Sequence, residues 1–369
     1  MSYIEVIKNA LVFFPVIAFL LTIPFILIEY HRYGSVNKLR TLIVYSFVLY
    51  LLIIYFLVIL PLPDIEEVSH MTGPIMNLIP FSFITDIIKE TSFNISAPST
   101  YLRALTESCV YVVFFNILMT IPFGMYLRYY YKCDLRHTII FTFLLSLFFE
   151  ITQLTGLYFI YPRPYRLFDI DDLILNTAGG ILGFYIMGIF KKALPTRDTI
   201  DKNSIKAGTK VSGLRRITLY TLDTFIYISI IIVLEIIIKT KISSILIIST
   251  STIYFVLIPY IFNGYTCAGK FLNIKLRFPN HTFIRLIIKT VLTYLNYFGV
   301  VYLIVMFLIK IYPNFNINTY ISIFIFVEIA LTLLIFYLIN TIHILRTSKA
   351  YYDKYSKVEY VSTIKELSS

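Results

Sequence analysis

Long apolar runs, each close to the length needed to cross a bilayer, constrain this chain more than any other feature. A hydrocarbon core of ~30 Å at about 1.5 Å per residue needs about 20 apolar residues. Nine such runs are read here, at 9–29, 41–61, 102–127, 138–159, 172–190, 217–238, 243–262, 289–310 and 319–342. In hydrocarbon every backbone N–H and C=O must find its partner inside the protein, which leaves helices and closed barrels. The runs lack the strict alternation of barrel strands, so helices are expected. Only 14% of residues are charged, against about 25% in soluble domains, which excludes a soluble globular protein. The expected fold is all-α: a polytopic helical membrane protein of nine transmembrane helices in two bundles, five and then four.

The cations set the orientation. With the N-terminus outside, 24 of the 32 Lys and Arg fall on cytoplasmic loops or the C-terminal tail, as the positive-inside rule requires. The net charge of +11 then reads as attraction to anionic lipid and not as nucleic-acid binding. The first run lacks a small-residue cleavage pattern and reads as an uncleaved span. Cys109, Cys133 and Cys267 have no paired spacing, so neither a disulfide framework nor a metal site is expected.

Residues 193–209 form a basic, polar, turn-bearing stretch, read as a cytoplasmic linker. It separates a membrane domain at 1–192 from one at 210–363, with a tail at 364–369. The partly polar segment 63–100 is too short to span and is expected as an interfacial helix or loop on the outer face.

The polar residues of the first half gather around one place. Glu150 and Gln153 share a face of the fourth helix. A short outer loop carrying Arg166 and Asp169 leads to Asp172 and Asn176, one turn apart on the fifth helix. Gly179 and Gly183 give that helix a small-xxx-small face for close packing. Glu150, Gln153, Arg166, Asp169, Asp172 and Asn176 can therefore converge in an outward-facing pocket. The alternative is structural: the aspartates cap a helix start and Arg166 pairs with one of them. Capping does not explain Glu150, because a carboxyl near mid-bilayer costs about 2.5–3.5 kcal/mol.

The segments Asn77-Leu-Ile-Pro-Phe81, Asn116-Ile-Leu-Met-Thr-Ile-Pro-Phe-Gly124, Glu150-Ile-Thr-Gln153 and Arg166-Leu-Phe-Asp-Ile-Asp-Asp-Leu-Ile-Leu-Asn176-Thr-Ala-Gly-Gly occur in the order of the sequence blocks of VanZ-like proteins. Residues 40–190 resemble that family. The resemblance implies a multi-pass protein of a Gram-positive cell membrane, linked to reduced susceptibility to teicoplanin and lipidated glycopeptides. Its partners would be membrane lipids or a lipid-linked cell-wall ligand.

In the second half, Arg216 and Asp223 lie two turns apart on one helix face. A snorkelling Arg216 paired with Asp223 is the structural reading. Together with Asn263-Gly-Tyr-Thr-Cys-Ala-Gly-Lys270 and Asp353, they resemble an RDD domain. Leu219 and Tyr220 stand where that family has a small residue, and its threonine after the last aspartate is missing. Some RDD proteins are associated with sodium–proton exchange, which would place Arg216, Asp223, Glu328 and Asp353 on an ion or proton pathway. No nucleophile–base arrangement, HExxH spacing or phosphate-cradling loop is present, so no catalytic residue, metal or cofactor is expected. An enzyme acting on an envelope lipid through Glu150, Asp169 and Asp172 remains the third reading.

Overall fold

A computed structural model describes residues 3–92, 96–104, 107–239, 244–279, 281–296 and 319–365. They form an all-α, multi-pass membrane protein. Among the described residues, seven helices are long and apolar enough to cross a membrane: Glu5–Tyr33, Lys38–Ile59, Ser108–Tyr129, Leu135–Leu154, Ile170–Ala193, Gly213–Ile238 and Ala330–Thr347. A shorter apolar helix covers Ile245–Ile261. The expected span 289–310 lies largely outside the described residues. The chain divides into two compact units, Met1–Leu21 with Lys38–Ile200, and Thr22–Asn37 with Asp201–Ser369.

In the first unit the longer helices are α1 (Tyr3–Tyr33, shared between the units), α2 (Lys38–Ile59), α3 (Ser82–Glu90), α4 (Ser108–Tyr129), α5 (Leu135–Leu154) and α6 (Ile170–Phe190). α4 packs against α6 through glycines. A Cβ on Gly179 would overlap the Ile117 carbonyl, and one on Gly183 the Ile121 carbonyl. Small residues that admit a neighbouring backbone are the usual device where lipid supplies no hydrophobic drive between helices. α5 meets α6 along Thr138, Thr142, Ser146 and Glu150, all buried and spaced four apart, so on one face. The Thr138 and Thr142 hydroxyls donate to carbonyls four residues back in their own helix. α5 ends at Leu154, earlier than the expected 159, where the chain turns at Gly156 with φ +57. A Cβ there would press on the Tyr161 and Arg163 carbonyls, so glycine is required for both space and backbone conformation.

In the second unit, α7 (Arg197–Gly208, entered from the first unit) occupies most of the stretch expected as a linker. α8 (Gly213–Ile238), α9 (Ser244–Thr252), α10 (Thr282–Tyr294) and α11 (Thr319–Thr347) follow. Tyr30, Leu219, Ala268, Leu272 and Ile274 form its main core cluster. Strands β3 (Ile274–Arg277) and β4 (Glu359–Ser362) pair antiparallel. A pair of two-residue strands in the first unit, β1 (Met76–Asn77) and β2 (Phe168–Asp169), runs parallel.

Candidate functional site

The polar residues of the first unit meet where α2 and α5 end and α4 and α6 begin. β2 delivers Asp169 to the N-cap of α6, where its carboxylate accepts the Asp171 N–H at 2.9 Å. Capping and the positive end of the helix both favour a carboxylate here. The Asp169 N–H donates to Glu150 Oε2 at 2.9 Å, and Asn77 Nδ2 donates to the Asp169 carboxylate at 3.2 Å. Glu150, 2% exposed, is thus tied to the loop that starts α6. Asn116 of α4 donates to Asp172 Oδ1 at 2.5 Å. One turn deeper, Asn176 Nδ2 donates to Ser146 Oγ at 2.9 Å, while its carbonyl accepts from Thr120 Oγ1 at 2.7 Å.

Asp171 does a different job. Its two oxygens accept from the Phe81 N–H at 2.6 Å, Ser82 Oγ at 2.9 Å and the Phe83 N–H at 3.0 Å. It therefore supplies from outside the cap that α3 lacks from its own N-cap side chain. At the other end of α3, Glu107 accepts from the Ser92 hydroxyl at 2.6 Å and the Ser92 N–H at 2.9 Å. These bonds hold the Glu107 carboxyl below its ordinary pKa.

An open pocket of ≈ 280 Å³ lies between α3, α4 and the start of α6. α3 contributes Ser82, Phe83, Asp86 and Glu90, α4 contributes Ser108, Cys109, Val112, Val113 and Asn116, and the third wall is Asp169, Asp171, Asp172 and Leu175. Two of the six residues expected around one pocket, Asp169 and Asp172, line it. Glu150 sits behind Asp169, and Asn176 lies deeper between α4 and α5. Gln153 donates to the Val58 carbonyl at 3.1 Å and Arg166 to the Leu60 carbonyl at 2.9 Å, so both brace the end of α2. Asp171, Ser82 and Asn116 complete the constellation. Asn116 stood in a sequence block, but nothing local to Asp171 or Ser82 tells that they bond each other.

In the second unit, Arg216 is not paired with Asp223. It forms a buried ion pair with Asp353, donating to Asp353 Oδ1 at 2.7 Å and to the Ser348 carbonyl at 2.9 Å. Its guanidinium lies 3.9 Å from the centroid of the Tyr360 ring. Asp223 instead accepts from Tyr254 Oη at 2.7 Å, Thr266 Oγ1 at 2.8 Å and the Ala268 N–H at 3.3 Å. Seven residues put the two side chains on one face, yet each finds a partner on another segment. The Glu328 side chain lies outside the described residues. Sequence reasoning passed over Arg215, fully buried and saturated by the carbonyls of Gly208, Leu272 and Asn273 with the Ser362 hydroxyl. Among the described residues no three His, Cys, Asp or Glu side chains are grouped to hold a metal ion.

Residues 47–191 match the VanZ/LLP1 family. The VanZ-like segment takes in most of α2, all of α3 to α6, and every residue of the pocket. This segment of the chain is similar to the VanZ/LLP1 family. No curated protein and no solved structure matches the chain.

Proposed function

We propose that the VanZ-like unit lowers susceptibility to teicoplanin and lipidated glycopeptides by binding the polar end of a lipid or lipid-like ligand. The pocket carries this reading. It lies at the ends of membrane spans, has Asp86, Glu90, Asp169, Asp171 and Asp172 among its lining residues, and has no Lys, Arg or His among them. Ionised carboxylates only accept hydrogen bonds, so the pocket suits a head group rich in amines or hydroxyls. Val112, Val113 and Leu175 offer an apolar wall to the rest of an amphiphile. Arg166, expected against an anionic group, is engaged by the Leu60 carbonyl, and ligand contact passes to the carboxylates. With the N-terminus outside, the pocket faces the outer leaflet of a bacterial cell membrane.

Susceptibility testing at equal expression decides it. Asp172→Asn and Asn116→Ala should each abolish protection against teicoplanin and dalbavancin and leave the response to vancomycin unmoved. Full protection retained in both variants removes the pocket from the mechanism.

For the second unit we propose an RDD-like domain exchanging cations for protons. Arg216, Asp223 and Asp353, which carried the resemblance, are all buried, and the hydroxyls of Tyr254 and Thr266 bond Asp223 within its span. A carboxylate inside a span is costly, which makes it a functional-site candidate by default. In everted vesicles, sodium should release a pH gradient through the parent chain, and Asp223→Asn should abolish that release. An identical signal in the variant ends this reading.

A further inference from the structure

We infer that α3 is an in-plane helix of the bilayer interface, with its apolar side in lipid and its acidic side walling the pocket. The first reason is depth. Asp171, which holds the start of α3, is the second residue of the span Ile170–Ala193. Glu107, which holds Ser92 just past its end, is the N-cap of the span Ser108–Tyr129. A helix pinned at both ends to the first residues of two spans must lie level with the span ends, where hydrocarbon meets head groups.

The second reason is its two faces. No residue of α3 is buried by protein, yet Ile84 and Ile88 are 46% and 69% exposed, along with Leu78, Ile79 and Phe81 just before it. Apolar side chains at the i and i+4 positions lie on one face, and an amphipathic helix of this kind buries that face in the interface. Asp86 and Glu90 lie on the opposite side and line the pocket. Lipid is thus the occupant that fits the apolar face, because the helix is fixed at the level where lipid begins.

A part for the acidic wall in ligand binding rests on the function proposed above; the depth of α3 does not, and it is measured without a ligand. The chain contains no Trp, so one introduced indole reports a single position. Full-length Ile88→Trp, Ile84→Trp and Asp86→Trp chains are reconstituted in phosphatidylcholine vesicles, with and without bromine on the acyl chains. The indoles from Ile88→Trp and Ile84→Trp should emit at short wavelength and lose intensity to brominated lipid. The indole from Asp86→Trp should keep its intensity. Water-like, unquenched emission from both isoleucine positions overturns the inference. Quenching as expected, together with unchanged drug susceptibility in the pocket variants, would leave α3 in the interface and remove only the ligand reading.

Discussion

Asp353→Ala should cost the second unit about 3–5 kcal/mol, because it leaves the Arg216 guanidinium buried without its counter-charge. Arg216 and Asp353 side chains are 1% and 7% exposed, so water cannot replace the lost partner. The carboxylate also accepts the Ala350 N–H at 2.8 Å, and truncation strands that donor too. Tyr220 and the Ser348 carbonyl bond the same guanidinium, but neither carries a negative charge. Thermal unfolding in detergent, followed by the fraction of monodisperse protein after heating, should show a large fall in midpoint. Arg216→Met combined with Asp353→Leu should recover much of the loss, since replacing both charges by apolar side chains removes the desolvation penalty with the pair. A midpoint indistinguishable from the parent chain in Asp353→Ala would mean that the pair contributes nothing to the fold.

Gly183→Leu should disrupt the first unit, with a cost at or above the roughly 1–3 kcal/mol typical of overpacking. The obstacle is backbone. A Cβ at this position overlaps the carbonyl of Ile121, and one at Gly124 overlaps that of Gly180. A side chain in the way can rotate; a carbonyl inside a helix can only move with its helix. α4 and α6 would have to separate, and the Asn116–Asp172 and Thr120–Asn176 bonds that cross between them would break with the packing. Leu182→Ala, one residue away and 46% exposed, should change the midpoint little. The same heating assay compares them, and parental stability in Gly183→Leu would show that the helices can part at low cost.

The two cases mark where reading along the chain succeeds and where it stops. Gly179 and Gly183 were legible, because a four-residue spacing of small residues inside an apolar run has one common use. The spans were legible too, since length and hydropathy are properties of a segment by itself. Their ends were less so. The third run reads from 102 by hydropathy, but its helix starts at Ser108 after an N-cap at Glu107. The faces of the spans were hardest. In lipid the outward side of a helix is as apolar as its packed side, so the 3.6-residue contrast that marks a buried face in a water-soluble protein fades. The polar stripe Thr138, Thr142, Ser146 shows this: it is regular, yet small hydroxyl residues among apolar ones leave a weak signal.

The sequence by itself determined that this chain lives in a membrane and which polar residues stand near one another in order along the first unit. Only the tertiary structure decided the partners. Asp171 bonds residues 88 to 90 positions away, and Arg216 pairs with a carboxylate 137 positions away in preference to Asp223 on its own helix. A charge taken out of water must be matched, and the sequence states that demand. The group that meets it is whichever one the packed helices bring within hydrogen-bond reach, and that choice belongs to the fold.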